Sequence, residues 1–323
     1  MKHRQCKRII LCFLIILLQG QSMVFAFDLQ AHRGGRDLRP ENTMSAFIHA
    51  IDLGVTTLEL DVAMTKDAVI VISHNPYLSN TLVQNAAGEY VSENPRQYIK
   101  DMTFDELSSY TVGVLNSTTS YYRKHKTQLP QENEHIPSLE MLFSYVDQLG
   151  LESLHFNIEI KTYPQHPQYT VDKKFFASAV LALIQKYDKE AVCTIQSFDW
   201  SVLSLIKATE SPVAVSCLTS RYLRIEGKTF NLRPHEAGPS PWLDGFDIDD
   251  YDSISELVYD FGADIISPYY KDITRTDVKE AHALGLQIIP WTIDNPVVMK
   301  RMISWGVDGI ITDRPDLLLE MVN

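Results

Sequence analysis

The chain has 323 residues and a formal net charge of −12 at pH 7, from 41 acidic and 29 basic residues. Apolar residues make up 45% of the chain, which is enough for a core in one large domain or two small ones. The acidic balance argues against nucleic acid and anionic membrane surfaces as partners, and it is compatible with cation binding.

The first 26 residues have the pattern of a secretory signal peptide. A basic start is followed by an apolar run over residues 9–18, and Val24-Phe25-Ala26 fits a cleavage site. A membrane anchor is the alternative, but the apolar run is half of the ~20 residues that a spanning helix needs. We therefore expect cleavage after Ala26 and an exported protein, periplasmic or secreted, without stable membrane insertion.

Cleavage would leave 25 basic residues, a formal charge of −16 and two cysteines, Cys193 and Cys217. Two cysteines are too few for a disulfide scaffold in an exported protein. The pair could form a bridge, or both could remain buried thiols on strands.

The expected mature chain begins with two strands joined by a helix. A strand over residues 29–31 runs into the motif His32-Arg33-Gly34-Gly35. Apolar residues at helical spacing follow, and Gly54 ends this helix. A strand over residues 55–62 carries Glu59 and Asp61, two residues apart, so both carboxylates point to the same side.

A second β-run, over residues 69–73, follows this acidic strand after a short polar break. Too few residues separate the two runs for a parallel crossover, so we predict a hairpin in which His74 lies across from Asp61. Residues 76–136 then form a long, polar, irregular insertion with one helix over 103–110, and a segment of this length is usually functional or disordered. Seven further histidines, His125 among them, lie on helices or loops, and most of them are expected to be solvated.

From residue 139 onward, helices and strands alternate, which is the pattern of a parallel sheet. Six later strands join those near residues 30 and 60, and they span residues 154–161, 192–198, 213–218, 264–269, 286–292 and 309–312. A second insertion covers residues 219–252. Eight strand–helix units predict a single-domain TIM barrel over residues 27–323. An open doubly wound sheet is the alternative, although its typical Gly-rich phosphate turn is missing.

Acidic side chains also alternate with apolar ones on the strand over 154–161, where Asn157, Glu159 and Lys161 face one way. Active sites of TIM barrels lie at the C-terminal ends of the strands, so we expect these residues to meet Glu59 and Asp61 there. Three carboxylates without a cysteine cluster predict a Mg²⁺ or Ca²⁺ site formed by Glu59, Asp61 and Glu159.

Basic and imidazole groups flank the predicted carboxylate site. Arg33 and Lys161 suit an anionic oxygen ligand such as a phosphate, and His32 and His74 provide a general acid and a general base. A purely structural network of ion pairs is the alternative, but buried ionic networks of this size are costly without a functional return. Trp291, at the end of the seventh strand, fits either a substrate wall or barrel packing.

A set of short motifs, in order along nearly the whole mature chain, resembles the glycerophosphodiester phosphodiesterases. The motifs are HRGG (32–35), PENT (40–43), LELDVAMTKD (58–67), ISHN (72–75), DMTFDEL (101–107), IPSLE (136–140), NIEIK (157–161), QSF (196–198), PWT (290–292) and DGIITDRP (308–315). The resemblance implies a TIM barrel with an insertion near the second strand, in agreement with the strand count.

The resemblance also implies hydrolysis of glycerophosphodiesters to glycerol 3-phosphate and an alcohol, with Ca²⁺ ahead of Mg²⁺ for an exported member with long insertions. We assign His32 as the base and His74 as the acid. The remaining roles that the resemblance implies are metal ligation by Glu59, Asp61 and Glu159, and phosphate contacts from Arg33 and Lys161.

One residue departs from the family pattern. An Asp usually follows the second histidine, and here Asn75 stands in its place, so His74 is a weaker base or takes support from Asp61. Two other functions stay open. One is a phospholipase of the phosphatidylinositol-specific or sphingomyelinase D kind, which an exposed apolar rim would mark. The other, motivated only by Asn75, is a non-catalytic phosphodiester-binding protein.

Overall fold

The computed structural model describes residues 27–322, except 222–223 and 226–227, and it gives only the backbone of residues 224–225 and 228–229. The expected signal peptide lies outside the described residues. Within the described part of the chain, no helix is long and apolar enough to cross a membrane.

Eight parallel strands form a nearly closed barrel. The strands in chain order are β1 (Asp28–Ala31), β2 (Thr57–Met64), β3 (Ile70–Ile72), β4 (His155–Ile160), β5 (Cys193–Ser197), β6 (Ala214–Thr219), β7 (Arg224–Ile225), β8 (Lys228–Thr229), β9 (Ile265–Pro268), β10 (Gln287–Ile288) and β11 (Gly309–Thr312). Hydrogen-bonded neighbours run β10-β9-β6-β5-β4-β2-β1-β11, while β7 and β8 form a separate ribbon. The N–H of Ile311 donates to the carbonyl oxygen of Pro290 at 3.1 Å and links the two ends. The predicted TIM barrel is confirmed, and the open sheet is excluded.

Helices alternate with the barrel strands and pack against their outer faces. The helices are α1 (Met44–Leu53), α2 (Phe104–Leu107), α3 (Ser120–Lys124), α4 (Leu139–Gln148), α5 (Lys173–Lys186), α6 (Trp200–Lys207), α7 (Ile254–Phe261), α8 (Arg275–Ala283), α9 (Pro296–Trp305) and α10 (Pro315–Val322). Residues that cap these helices lie just outside the helical bounds, because a capping residue does not have a helical backbone conformation. Ser253, for example, caps α7 by accepting from the N–H of Glu256.

Strand β2 divides its side chains between the core and the barrel interior. Leu58 and Leu60 belong to the main hydrophobic cluster, together with Phe47 of α1. Glu59 and Asp61 alternate with them, and all eight residues of the strand are buried. The period-2 geometry of a strand therefore places both carboxylates inside the barrel.

The two cysteines of the described residues, Cys193 and Cys217, are free and buried. Strands β5 and β6 pair with Cys217 across from Ser197, so Cys193 is several positions out of register with Cys217. Burial raises the pKa of both thiols. Of the two arrangements that the sequence left open, the structure has the buried thiols.

The predicted hairpin exists, but its register differs by one residue. Strand β3 pairs antiparallel with β2, and Val62 lies across from Ile72. The N–H of Ser73 donates to the carbonyl oxygen of Asp61 at 2.9 Å, so Ser73, and not His74, lies across from Asp61. Residues 66–68 form the turn, because the N–H of Thr65 donates to the carbonyl oxygen of Val69, and Ala68 adopts a φ of 64°, as in three-residue hairpin loops.

The first insertion is ordered and has its own small core, in contrast to the irregular segment that its composition suggested. Apolar residues spread through it, such as Leu78, Val91 and Ile99, form a second buried cluster with Val71 of β3. The predicted helix over 103–110 shortens to α2, and α3 was not predicted. The apolar residues are too widely spaced along the chain to show a helical or strand period, so local patterns did not reveal them.

Candidate active site

Three buried carboxylates meet inside the mouth of the barrel. Glu59 and Asp61 come from β2 and Glu159 comes from β4, whose register places Asp61 beside Glu159. One carboxylate oxygen from each lies within 4.8 Å of the others, and each residue is at most 6% exposed. The structure thus brings together the three predicted metal-ligating residues.

Two cations neutralise part of this negative charge. The Nζ atom of Lys161 lies 3.0 Å from Oδ1 of Asp61 and 2.8 Å from Oε1 of Glu159. The Nε atom of Arg33 lies 3.2 Å from Oδ2 of Asp61, and the backbone N–H of Arg33 donates to Oε2 of Glu59 at 2.9 Å. Both predicted phosphate-binding residues therefore belong to the same cluster.

Protonation of the carboxylates depends on their burial and on each other. Burial, together with the charges of Asp61 and Glu159, raises the pKa of Glu59 well above its ordinary value. Burial raises the pKa of Glu159 to about 7. Burial would also raise the pKa of Asp61, but Lys161 and Arg33 outweigh it and hold that pKa well below its ordinary value. This oxygen-only set with excess negative charge fits a hard divalent cation, whose charge would let all three carboxylates ionise.

A tight turn after β1 presents His32 and Arg33 to the cluster. Arg33 has a φ of 52°, and its Nη1 atom donates to Oε1 of Glu41 at 2.9 Å, which fixes the guanidinium. Gly34 has a φ of 81°, and a Cβ there would lie 2.7 Å from the Cβ of Ala46 in α1. Glycine is therefore needed for the turn to pack against the helix.

His32 is held by Asp313, which follows β11. Nδ1 of His32 lies 2.5 Å from Oδ1 of Asp313, and Nε of Arg36 donates to the same oxygen at 2.7 Å. An ionised carboxylate can only accept hydrogen bonds, so His32 donates from Nδ1. Its Nε2 then lies toward the cluster, 4.0 Å from Oε2 of Glu59. Burial lowers the pKa of His32 to about 4, although the charge of Asp313 acts in the opposite direction, and the imidazole is neutral at pH 7.

His74 follows the hairpin, and its side chain lines a cavity at the mouth of the barrel. His32 lines the same cavity, so the structure brings the two predicted acid–base residues together. Nδ1 of His74 lies 3.2 Å from Oδ1 of Asn75. The Asn75 side chain therefore hydrogen-bonds the imidazole at the position where the family usually has a carboxylate.

Sequence reasoning missed several residues that hold the site in place. Nε2 of Gln196 donates to Oε1 of Glu59 at 2.8 Å, and Nδ2 of Asn42 donates to Oδ2 of Asp61 at 2.9 Å. Gln196 and Asp313 lie at the C-terminal ends of barrel strands. Active-site residues of TIM barrels are expected there, so this position could have identified both residues. Asn42 lies on a loop within the motif PENT (40–43), to which no role in the site was assigned.

The first insertion contacts the loop that carries Arg36. His125 is only 1% exposed, and its Nδ1 lies 2.5 Å from Oδ1 of Asp37. Nε2 of Gln128 donates to the carbonyl oxygen of Arg36 at 2.7 Å. His125 is therefore an exception to the solvation expected for most of these histidines, because the insertion folds back and buries it. Through Arg36, this contact supports Asp313.

Replacing His125 by alanine is expected to lower the free energy of unfolding by about 2 kcal/mol, because a buried hydrogen bond to a carboxylate is lost. Urea unfolding measures the change. His135→Ala is the matched control, because His135 is an exposed histidine of the same insertion, and we expect it to change stability by less than about 0.5 kcal/mol. Equal losses in the two variants would contradict this role of His125.

A cavity of about 330 Å³ opens beside the carboxylates and the two histidines. Trp291 lines this cavity, and its Nε1 also donates to the carbonyl oxygen of Ser267 at 2.8 Å. Trp291 therefore both lines the cavity and packs against a barrel strand, which are the two roles that the sequence left open. Its contact with a substrate remains a prediction. We use the name aromatic wall for the five aromatic residues that line the cavity: Tyr163, Phe198, Phe230, Trp242 and Trp291.

Comparison with known proteins agrees with this site. A family model described as the glycerophosphoryl diester phosphodiesterase family matches residues 32–317. A glycerophosphodiester phosphodiesterase of Caldanaerobacter subterraneus subsp. tengcongensis is 27% identical over 297 residues, which cover 90% of this chain and 96% of the relative. Another from Bacillus altitudinis is 27% identical over 290 residues, which cover 88% and 94%.

Solved structures show the same architecture. A structure from Silicibacter pomeroyi that carries the name of the same family has a TM-score of 0.79 and 29% identity, and the match covers 92% of this chain and 95% of that one. An Oleispira antarctica phosphodiesterase in complex with sn-glycerol-3-phosphate has a TM-score of 0.66 at 18% identity, over 92% and 97%. The family match over most of the chain, with these relatives, shows that the chain belongs to the glycerophosphoryl diester phosphodiesterase family and is an enzyme of that family.

Proposed function

We propose that this enzyme hydrolyses glycerophosphodiesters to glycerol 3-phosphate and an alcohol, with the help of a divalent metal ion and two histidines. The observation that carries the proposal is that His32 and His74 line one cavity with Glu59, Glu159 and the two cations, and that Asp61 completes the carboxylate cluster beside this cavity. The names of the Caldanaerobacter and Bacillus relatives support this substrate class. The sn-glycerol-3-phosphate bound to the Oleispira enzyme supports it as well.

Glu59, Asp61 and Glu159 would hold the metal ion, with Ca²⁺ ahead of Mg²⁺. Ca²⁺ accepts six to eight oxygens in flexible geometry, whereas Mg²⁺ requires a nearly ideal octahedron. Because two strands fix the positions of the three carboxylates, the ion has to adapt to them, and the flexible coordination of Ca²⁺ allows this more easily. The bound ion would supply positive charge for the phosphate oxygens as negative charge develops on them.

Four side chains of the protein act on the diester in this scheme. Arg33 and Lys161 bind the phosphate oxygens. His32, whose Nε2 is free, takes the proton from the attacking hydroxyl, which belongs to the glycerol of the substrate or to a water molecule. His74 donates a proton to the leaving alcohol. If a cyclic phosphate forms, the two histidines exchange roles in its hydrolysis.

Release of glycerol 3-phosphate from glycerophosphocholine and glycerophosphoethanolamine tests the proposal. We expect release with Ca²⁺, loss of release with a chelator, and recovery when Ca²⁺ is returned, with weaker recovery in Mg²⁺. Full activity in the chelator would contradict the metal requirement. Hydrolysis of lysophosphatidylcholine or sphingomyelin with no release from either glycerophosphodiester would favour a phospholipase, and binding without turnover would favour a non-catalytic protein.

Replacing Asn75 by aspartate is expected to raise kcat about threefold to tenfold, because a carboxylate next to Nδ1 stabilises a protonated His74 better than an amide does. Steady-state kinetics measures the change. Gln148→Glu adds the same charge at the exposed end of α4 and is expected to leave kcat unchanged. A lower kcat in Asn75→Asp would show that the amide is the better partner for His74.

We also propose that the enzyme is exported to the periplasm or the medium. The order of basic, apolar and cleavage-site segments in residues 1–26 supports this localisation. Cell fractionation and mass spectrometry of the purified protein test it, and we expect a mature chain that begins at Phe27. A cytoplasmic protein that keeps residues 1–26 would contradict the proposal.

A further inference from the structure

A third cationic side chain, Arg36, lines the active-site cavity together with the two histidines. The residue is only 8% exposed. Its Nε donates to Oδ1 of Asp313, the oxygen that also accepts from His32. In the proposed scheme Arg36 supports Asp313 and has no contact with the substrate. A buried guanidinium that reaches a ligand cavity is, however, well suited to bind an anionic oxygen there.

The guanidinium of Arg36 has donors that its contacts within the protein leave open. Arginine carries N–H donors on Nε, Nη1 and Nη2. Nε is held by Asp313, and Nη1 lies 3.5 Å from the hydroxyl oxygen of Tyr121, which is close to the limit for a hydrogen bond. Among the described residues, no acceptor takes a hydrogen bond from Nη2. The Nη2 donors are therefore available to a ligand in the cavity.

The other two cations of the cavity are more strongly neutralised by the protein than Arg36 is. Arg33 and Lys161 each lie within 3.2 Å of two carboxylates, which come from the set Glu41, Asp61 and Glu159. Arg36 forms an ion pair with Asp313 alone. More of its positive charge is therefore left to attract an anionic ligand.

The charge of Arg36 reaches both predicted acid–base residues. Burial is the largest cause of the low pKa of His32 and of His74, and the charge of Arg36 lowers the pKa of both further. A phosphate that is attacked beside His32 and protonated beside His74 lies between the two imidazoles. Such a phosphate would therefore also lie within the field of Arg36.

The first insertion holds Arg36 at the cavity. Nε2 of Gln128 donates to the carbonyl oxygen of Arg36 at 2.7 Å, and the guanidinium carbon lies 5.9 Å from the centre of the Tyr121 ring. The N–H of Leu129 donates to the carbonyl oxygen of Leu38 at 3.1 Å and fixes the same loop. Because the backbone and the guanidinium are both held, little conformational freedom is lost when an anion binds.

We propose that Arg36 binds the phosphate of the substrate and, more tightly, the phosphate of the product glycerol 3-phosphate. This inference rests on the proposed glycerophosphodiester hydrolysis, and it goes further by naming a phosphate-binding residue on the His32 side of the cavity. A diester carries a single negative charge, whereas a phosphate monoester carries close to two above pH ~6. Coulomb attraction is proportional to the charge of the ligand. Loss of Arg36 should therefore weaken the product about twice as much, in free energy, as the substrate.

Arg36→Gln tests this role in the presence of Ca²⁺ at pH ~8, where the monoester is a dianion. We expect KM for glycerophosphocholine to rise about threefold and the Kd of glycerol 3-phosphate, measured by calorimetry, to rise about tenfold, because doubling the charge squares the fold-change. Arg36→Lys keeps the charge and is expected to recover part of both losses. Arg39→Gln is the matched control. Arg39 lies on the same loop, and its Nη1 donates to the carbonyl oxygen of Leu38, so we expect both values to stay unchanged.

Asp313→Asn separates phosphate binding from a role of Arg36 that acts only through Asp313. This variant keeps Arg36, so it is expected to lower kcat without weakening the binding of glycerol 3-phosphate. An unchanged Kd in Arg36→Gln would overturn the inference. A rise in Kd that is equally large in Asp313→Asn would overturn it as well, since Arg36 would then act through Asp313.

Two further outcomes also decide the inference. If no diester is hydrolysed, the proposed function fails, and the Kd of glycerol 3-phosphate is then decisive. The inference stands if Arg36→Gln raises this Kd by at least about fivefold and falls otherwise. If Arg36→Gln does not fold, a crystal structure of the unaltered enzyme with glycerol 3-phosphate takes its place. A guanidinium nitrogen of Arg36 within about 3.2 Å of a phosphate oxygen supports the inference, and a longer distance overturns it.

Discussion

Replacing His32 by alanine is expected to lower kcat about 10³-fold with little change in KM, because general acid–base catalysis typically contributes 10²–10⁴-fold. The imidazole lies next to the carboxylate cluster with Nε2 free, and alanine removes the group that takes the proton. Phosphate binding through Arg33 and Lys161 is retained, so the effect falls on kcat. Steady-state kinetics with glycerophosphocholine and added Ca²⁺ measures it.

His74→Ala is expected to show a loss of similar size, because the leaving alcohol then departs without a proton donor. His282→Ala serves as the control, since His282 is an exposed histidine on α8 that pairs with Asp308. Circular dichroism and thermal unfolding would show that the variants fold. Full activity in both His32→Ala and His74→Ala would rule out the two-histidine scheme.

Replacing Asp313 by asparagine is expected to lower kcat about 10²-fold or more, although the side chain keeps its size. Oδ1 of Asp313 accepts from Nδ1 of His32 and from Nε of Arg36. An amide can instead donate to Nδ1, which stabilises the tautomer with its proton on Nε2, where the base must be free. A positioning role of this kind predicts a loss in kcat with KM nearly unchanged.

Two further variants separate positioning from folding. Asp313→Glu keeps the acceptor and is expected to recover part of the lost kcat, whereas a role in stability alone would not follow the acceptor chemistry. Asp316→Asn is the control from the first turn of α10, where Asp316 pairs with Arg314, and it is expected to keep full activity. A kcat in Asp313→Asn within twofold of the unaltered enzyme would show that Asp313 does not set the tautomer of His32.

The sequence by itself determined the barrel and most of the site. Alternation of apolar and acidic residues on β2 and β4 is a local property, and it placed Glu59, Asp61 and Glu159 on the barrel interior before any fold was known. The C-terminal strand ends then located His32, Arg33 and Lys161, because a parallel barrel collects all of these ends on one face. The alternation of strands and helices along the chain predicted the number of strands, and this pattern is local as well.

Tertiary structure decided the features that depend on contacts between distant parts of the chain. Asp313 holds His32 across 281 residues, and no periodicity relates the two positions. The hairpin register goes with a turn in which Ala68 has a positive φ, a conformation that its residue type does not predict. His125 became buried because the first insertion has a core of its own. The sequence thus specified which side chains could perform the chemistry, while long-range packing specified the hydrogen bonds that orient them and the aromatic wall beside them.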